Sequence, residues 1–116
     1  MVPLSKRRPG FDFALRVQVH VVPASAGGRH TPIKDGYRPI CVIDIGGKAT
    51  NVGLCELVLE HELVPGSTGE GVLQFHKDVA SYLSGLRTGS RIALAEGPRV
   101  MASAEVIEIE PIAPLQ

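Results

Sequence analysis

The chain has 116 residues and 12.3 kDa, and its 12 basic and 12 acidic side chains cancel to a formal net charge of zero. That balance argues against a tight nucleic-acid binder, whose affinity comes largely from the release of phosphate counterions. The 44% hydrophobic content excludes a disordered chain, and the lack of Trp with only 4% aromatics leaves the core to Val, Ile, Leu and Ala.

Residues 1–10 read as a flexible basic arm carrying Lys6, Arg7 and Arg8, a solvated tail rather than a phosphate-seeking one. The arm has no apolar stretch of the signal-peptide kind, and no run in the chain approaches the ~18 apolar residues of a membrane span. These features predict a cytoplasmic protein with no membrane contact. A single domain is expected over residues 11–110, with a short tail at 111–116. Residues 11–22 alternate: Phe11, Phe13, Leu15, Val17, Val19 and Val21 on one face, Asp12, Arg16, Gln18 and His20 on the other. Period two predicts a half-buried strand.

The segment "PICVIDI" at 39–45 is a short β-branched run and a second strand. Between Asn51 and Val64 the apolar set changes parity once near Leu54, which predicts a bulge or a break between two strands. "VPG" at 64–66 is a turn, and "EGVLQFHKDV" puts Leu73 and Phe75 opposite Gln74 and His76. "DVASYLSGL" at 78–86 is the only stretch that could form a helical turn. "SRIALAEG" carries Ile92 and Leu94 into the turn signal "EGPR". The last strand alternates Val100, Ala102, Ala104 and Val106, then shifts to Ile107 and Ile109, which places a bulge near Val106. Strands spaced by Gly- and Pro-rich turns, without strand–helix alternation, indicate an all-β sandwich or barrel.

Cys41 and Cys55 lack CxxC spacing, which gives neither a zinc site nor a redox motif, and free buried thiols are the expectation. The four His residues, at 20, 30, 61 and 76, show no paired ligand spacing, so no metal or other cofactor is expected. Glu56, Glu60 and Glu62 read as a solvated acidic face. Ser25, Ser81 and Ser84 lie in no nucleophile elbow, and "GGKAT" at 46–50 lacks the upstream Gly and the Ser/Thr directly after Lys of a phosphate loop. The chain is read as non-enzymatic.

One stretch, "GGRHTPIKDGYRP" at 27–39, crowds Arg29, His30, Tyr37 and Arg38 among three Gly and two Pro. Its halves, Gly27–Pro32 and Gly36–Pro39, resemble the C-terminal domain of bacterial elongation factor Tu. The turn at 64–66 and the closing segment with Glu96, Gly97 and Arg99 are similar to that family too, and the likeness runs over about residues 13–110. The resemblance implies a six-stranded antiparallel Greek-key β-barrel, here without the GTP-binding domain that accompanies it. In that family the barrel packs on the GTP-binding domain, touches the tRNA T-stem backbone and helps to dock the exchange factor.

The departures fall on the polar edge of the pattern. Ile40 replaces a Gln, Asp44, Ile45 and Gly46 replace an Arg-Thr run, Pro98 stands in place of a Gly, and "VASYLSGLRTG" lengthens the connection before Arg91. The candidate partner- or RNA-binding residues are Arg29, His30, Tyr37, Arg38, Gly97 and Arg99. Structural roles compete with functional ones: Arg29 bonding loop carbonyls, His30 capping a turn, Tyr37 plugging the barrel end, Arg38 pairing a strand carboxylate. Gly27, Gly28 and Gly36 would supply backbone conformations closed to other residues. The expected function is a non-catalytic module docking a protein partner, either a translation-related GTPase or a second copy of itself. The alternative is a module that contacts tRNA or other structured RNA.

Overall fold

The computed structural model describes residues 11–45, 47–76, 83 and 85–111. Seven strands form one sheet: β1 (Phe11–Val21), β2 (Ile40–Ile45), β3 (Lys48–Leu54), β4 (Glu56–Val58), β5 (Thr68–His76), β6 (Arg91–Glu96) and β7 (Arg99–Pro111). Their order across the sheet is β3-β2-β6-β7-β1-β5-β4, and every pairing is antiparallel. The basic arm and the residues after 111 lie outside the described residues, as does most of the stretch at 78–86. A short 3-10 turn, Ala24–Ala26, follows β1 where only loop was expected.

Period-two alternation decides which face of each strand turns inward. Leu15, Val17 and Val19 of β1, Leu73 and Phe75 of β5, and Ile92 and Leu94 of β6 are fully buried in one cluster with Cys41, Ile43, Ala102, Ala104 and Val106. One cluster draws on all the strands from edge to edge, so the sheet curls over its own inner face as a half-barrel. Burial of each large aliphatic side chain here stabilises by about 1.5–3 kcal/mol before entropy is counted.

The sheet departs from the expected closed six-stranded barrel. Its two edges, β3 and β4, share no ladder. They are consecutive in the chain instead, separated by Cys55 alone, so the polypeptide itself crosses from one edge of the sheet to the other. The parity change near Leu54 marks this crossing. Two isolated bridges, Ile33 with Leu63 and Tyr37 with Leu57, continue the seam beyond β4.

The cysteines are also not free. Cys41 and Cys55 form a disulfide with Cα atoms 6.5 Å apart, and both residues are buried. The register explains it: Cys41 faces Gly53, a residue with no side chain to intervene, and Cys55 lies two residues further along that strand's course, beside Pro39, in diagonal reach of Cys41.

The bulge foreseen near Val106 is present. Val17 pairs with Val106 while Arg16 pairs with Glu108, leaving Ile107 out of register. Ile107 and Ile109 remain 40% and 36% exposed, because the bulge turns them off the inner face where β7 has run past its ladder with β6. Val100, expected inside with Ala102, is instead 48% exposed: a second irregularity between Leu94 and Ala95 flips the face of β7 at its start.

Candidate docking surface

The loop between β1 and β2 is held at four points. Val22 donates its amide to Met101 O at 2.9 Å as the chain leaves β1. Gly28 then packs against that exit and donates to Pro23 O at 3.0 Å. A Cβ at Gly28 would sit 2.2 Å from the Val22 carbonyl oxygen, so only glycine fits. Further on, Ile33 and Leu63 exchange backbone hydrogen bonds at 2.8 Å, and Leu57 donates to Tyr37 O at 2.8 Å. The loop is therefore stitched to the β4 seam, with Arg29 and Tyr37 projecting to one side.

On that side the side chains converge on Glu96, the last residue of β6. The Arg29 guanidinium is hydrogen-bonded to Glu96 Oε2. The Tyr37 hydroxyl donates to the same oxygen at 2.5 Å. Arg29 also donates to the Thr31 side chain at 3.1 Å and the Thr31 carbonyl at 3.4 Å, and its guanidinium carbon lies 5.2 Å from the Tyr37 ring centre. The Tyr37 ring packs against the core at this end of the half-barrel.

The electrostatics follow from that geometry. Hydrogen bonding to Glu96 raises the Arg29 pKa above its ordinary value. Burial raises the Tyr37 phenol far above its usual range, and the neighbouring carboxylate adds to this. The Tyr37 hydroxyl, and then Arg29, hold Glu96 below the usual carboxylate range. Beside the cluster lies an open recess of about 470 Å³ lined by Arg29, Thr31, Pro32, Lys34, Asp35, Gly36 and Tyr37.

Arg38 points elsewhere, pairing with Glu56 at 3.1 Å. Glu56 is accordingly buried, unlike the solvated Glu60 and Glu62 with which the sequence grouped it. Gly97 and Pro98 make the two-residue turn between β6 and β7, with Glu96 paired to Arg99 across it. Gly97 takes a φ of 57°, and the fixed negative φ of Pro98 makes this the Gly-first hairpin turn. His30 and Arg99 are exposed, and among the described residues neither forms an ion pair. Of the six predicted residues, then, Arg29, Tyr37, Gly97 and Arg99 gather around Glu96; Arg38 and His30 do not. The hub itself, Glu96, stood out in the sequence as part of the closing segment with Gly97 and Arg99, but not as the acceptor that Arg29 and Tyr37 share.

No model of a known protein family matches this chain.

A second feature lies on the sheet itself. The outer face of the wing β3-β2-β6-β7 is poor in charge. Ile40, Val42 and Asp44 alternate with the buried Cys41 and Ile43 and so face outward, as do Arg91 and Ala93 beside buried Ile92 and Leu94; Ala95, past the irregularity at Leu94, is itself buried. One row across this face reads Leu54, Ile40, Ala95, Val100, and Leu54 and Val100 are 59% and 48% exposed. A shallow recess of about 400 Å³ lies beside it, floored by Val42, Ala49 and Ala93. The other wing differs: β1, β5 and β7 present Gln18, His20, Thr68, Glu70 and Glu108, with Arg16 bridging Glu70 at 3.5 Å and Glu108 at 3.6 Å. Among the described residues no helix is long and apolar enough to cross a membrane, and no group of three or more His, Cys, Asp or Glu residues is gathered for a metal.

Proposed function

We propose that this chain is a non-catalytic protein-docking module. The apolar outer face of the β3-β2-β6-β7 wing carries the reading, because exposed Leu54 and Val100 flank half-buried Ile40, Val42 and Ala93 there, and an apolar patch of this kind marks an interaction surface. The loop site supports a protein partner over RNA. A phosphate approaching Arg29 would have to displace Glu96 and overcome its repulsion, so the cation best placed for RNA is already neutralised. The resemblance of the 27–39 loop to the elongation factor Tu C-terminal domain supports the same reading, since that barrel packs on another domain through its surface.

The test pairs two variants in one capture experiment, followed by a titration. Ala93→Glu places a charge in the wing recess, and Arg29→Ala removes the loop cation. A protein captured by the unaltered chain should be lost with Ala93→Glu and kept with Arg29→Ala. In parallel, labelled bulk tRNA followed by fluorescence anisotropy should show no saturable binding at physiological salt. Saturable, salt-sensitive tRNA binding abolished by Arg29→Ala would overturn the docking reading in favour of an RNA module.

A further inference from the structure

We infer that the docking partner of the β3-β2-β6-β7 face is a second copy of this chain, related by a two-fold axis that runs along the strands midway between β2 and β6. This rests on the docking reading above and names its partner. An isologous interface requires a surface complementary to itself, and the order of residues across this wing supplies one. The four strands lie side by side, about 4.8 Å apart, so a two-fold axis between the middle pair exchanges β2 with β6 and β3 with β7.

That exchange can be followed row by row. In the first row, Leu54 on β3 comes to lie over the partner's Val100 on β7. These are the two most exposed aliphatic side chains on this face, at 59% and 48%, and each covers the other twice over. Half-buried Ile40 falls over the partner's Ala95, whose small buried side chain leaves it room. In the next row, Val42 meets the partner's Ala93, while Asn51 meets the partner's Ser103, apolar on apolar and polar on polar.

The third row carries the charges. Asp44 ends the outward set of β2 and Arg91 begins that of β6, both exposed at the rim of the 400 Å³ recess. Among the described residues neither makes an ion pair. The same exchange sets Asp44 over the partner's Arg91 and Arg91 over the partner's Asp44, so that the cross-strand pairing of opposite charges within each copy is repeated between copies, while Glu105, which faces Arg91 on β7, comes to lie over the partner's Ala49. The strands of the two copies then run aligned, the arrangement in which twisted sheets stack face to face at about 10 Å. Because each sheet is curved and presents its convex side, the contact is of limited area and the dimer is reversible.

Sedimentation velocity on the full chain over a roughly hundredfold concentration range tests this directly. The unaltered chain should shift from monomer to dimer with rising concentration. Asp44→Arg alone and Arg91→Glu alone should each remain monomeric, with circular dichroism melts unchanged because both side chains are exposed. An equimolar mixture of the two variants should recover the dimer, since the Asp44→Arg copy then sets two cations over the two carboxylates of the Arg91→Glu copy. A monomer at every concentration, a dimer indifferent to both reversals, or no recovery on mixing would each overturn the second-copy assignment. The docking reading is judged separately: if the unaltered chain is monomeric yet Ala93→Glu still abolishes capture of another protein, only the identity of the partner is wrong.

Discussion

Reducing the Cys41–Cys55 disulfide should cost this fold a large share of its stability. The bond joins residues 14 apart, closing a loop that spans β2, the hairpin turn and all of β3. Loop-closure entropy for about 15 residues contributes about 3 kcal/mol, against a typical total of about 5–15 kcal/mol for a domain. Both cysteines are buried, so the thiols stay packed on reduction and the comparison isolates the cross-link. Urea denaturation with and without a thiol reductant measures it, with thiol titration confirming two free groups in the reduced sample. The reduced protein should unfold with a free energy lower by about 3 kcal/mol, and with a melting temperature lower by roughly 10–15 °C for a chain of this size. A difference below about 1 kcal/mol in fully reduced protein would refute the reasoning, since the loop entropy would then not be restored on cleavage. The same titration, on protein extracted without reductant, bears on the cytoplasmic expectation, because glutathione keeps most cytosolic thiols reduced.

The remaining predictions concern the loop site. Glu96 is held below the ordinary carboxylate range when folded, so the stability it contributes is present above the unfolded carboxylate pKa and is lost as pH falls through the lower folded value. The stability difference between the unaltered chain and Glu96→Gln should therefore be modest at neutral pH, the carboxylate being 43% exposed, and should vanish on acidification below about pH 4, as read from urea midpoints against pH. Tyr37→Phe removes one hydrogen bond to a carboxylate and should cost about 1 kcal/mol. The alkaline ultraviolet difference between that variant and the unaltered chain should place the Tyr37 transition above the ordinary phenol range. Gly28→Ala should destabilise by more than about 2 kcal/mol in thermal melts, since its methyl group would meet the Val22 carbonyl rather than a yielding side chain.

What the sequence showed plainly was whatever depends on neighbours in the chain. The face of β1 follows from its alternation, and the irregularities at Leu54 and Val106 are visible as changes of parity. Pairing between distant segments is not encoded that way. That β3 and β4 lie at opposite edges of one sheet, and that Cys41 faces Gly53, are consequences of register settled only when the whole sheet assembles. The loop site shows the same division. Arg29 and Tyr37 stood out by composition, whereas nothing local marks Glu96, 59 residues beyond Tyr37, as their common acceptor. Glu56 looked like surface for the same reason: its partner Arg38 arrives from another strand's approach.

The passage of the chain through Cys55 has a consequence for how the molecule can vary. Ordinary barrels set their girth by strand number and stagger, and closing hydrogen bonds hold it. Here a single residue joins the sheet's two margins, and the segment entering β2 closes the seam with a few backbone bonds, from Cys55 to Pro39 O and from Leu57 to Tyr37 O, so tether length sets the width of the enclosed core together with these bonds. Each residue added beside Cys55 would lend about 3.3 Å of slack and let the margins drift apart. The length of chain at this one position is therefore a handle on the bore of the fold, as the length of an exposed turn is not.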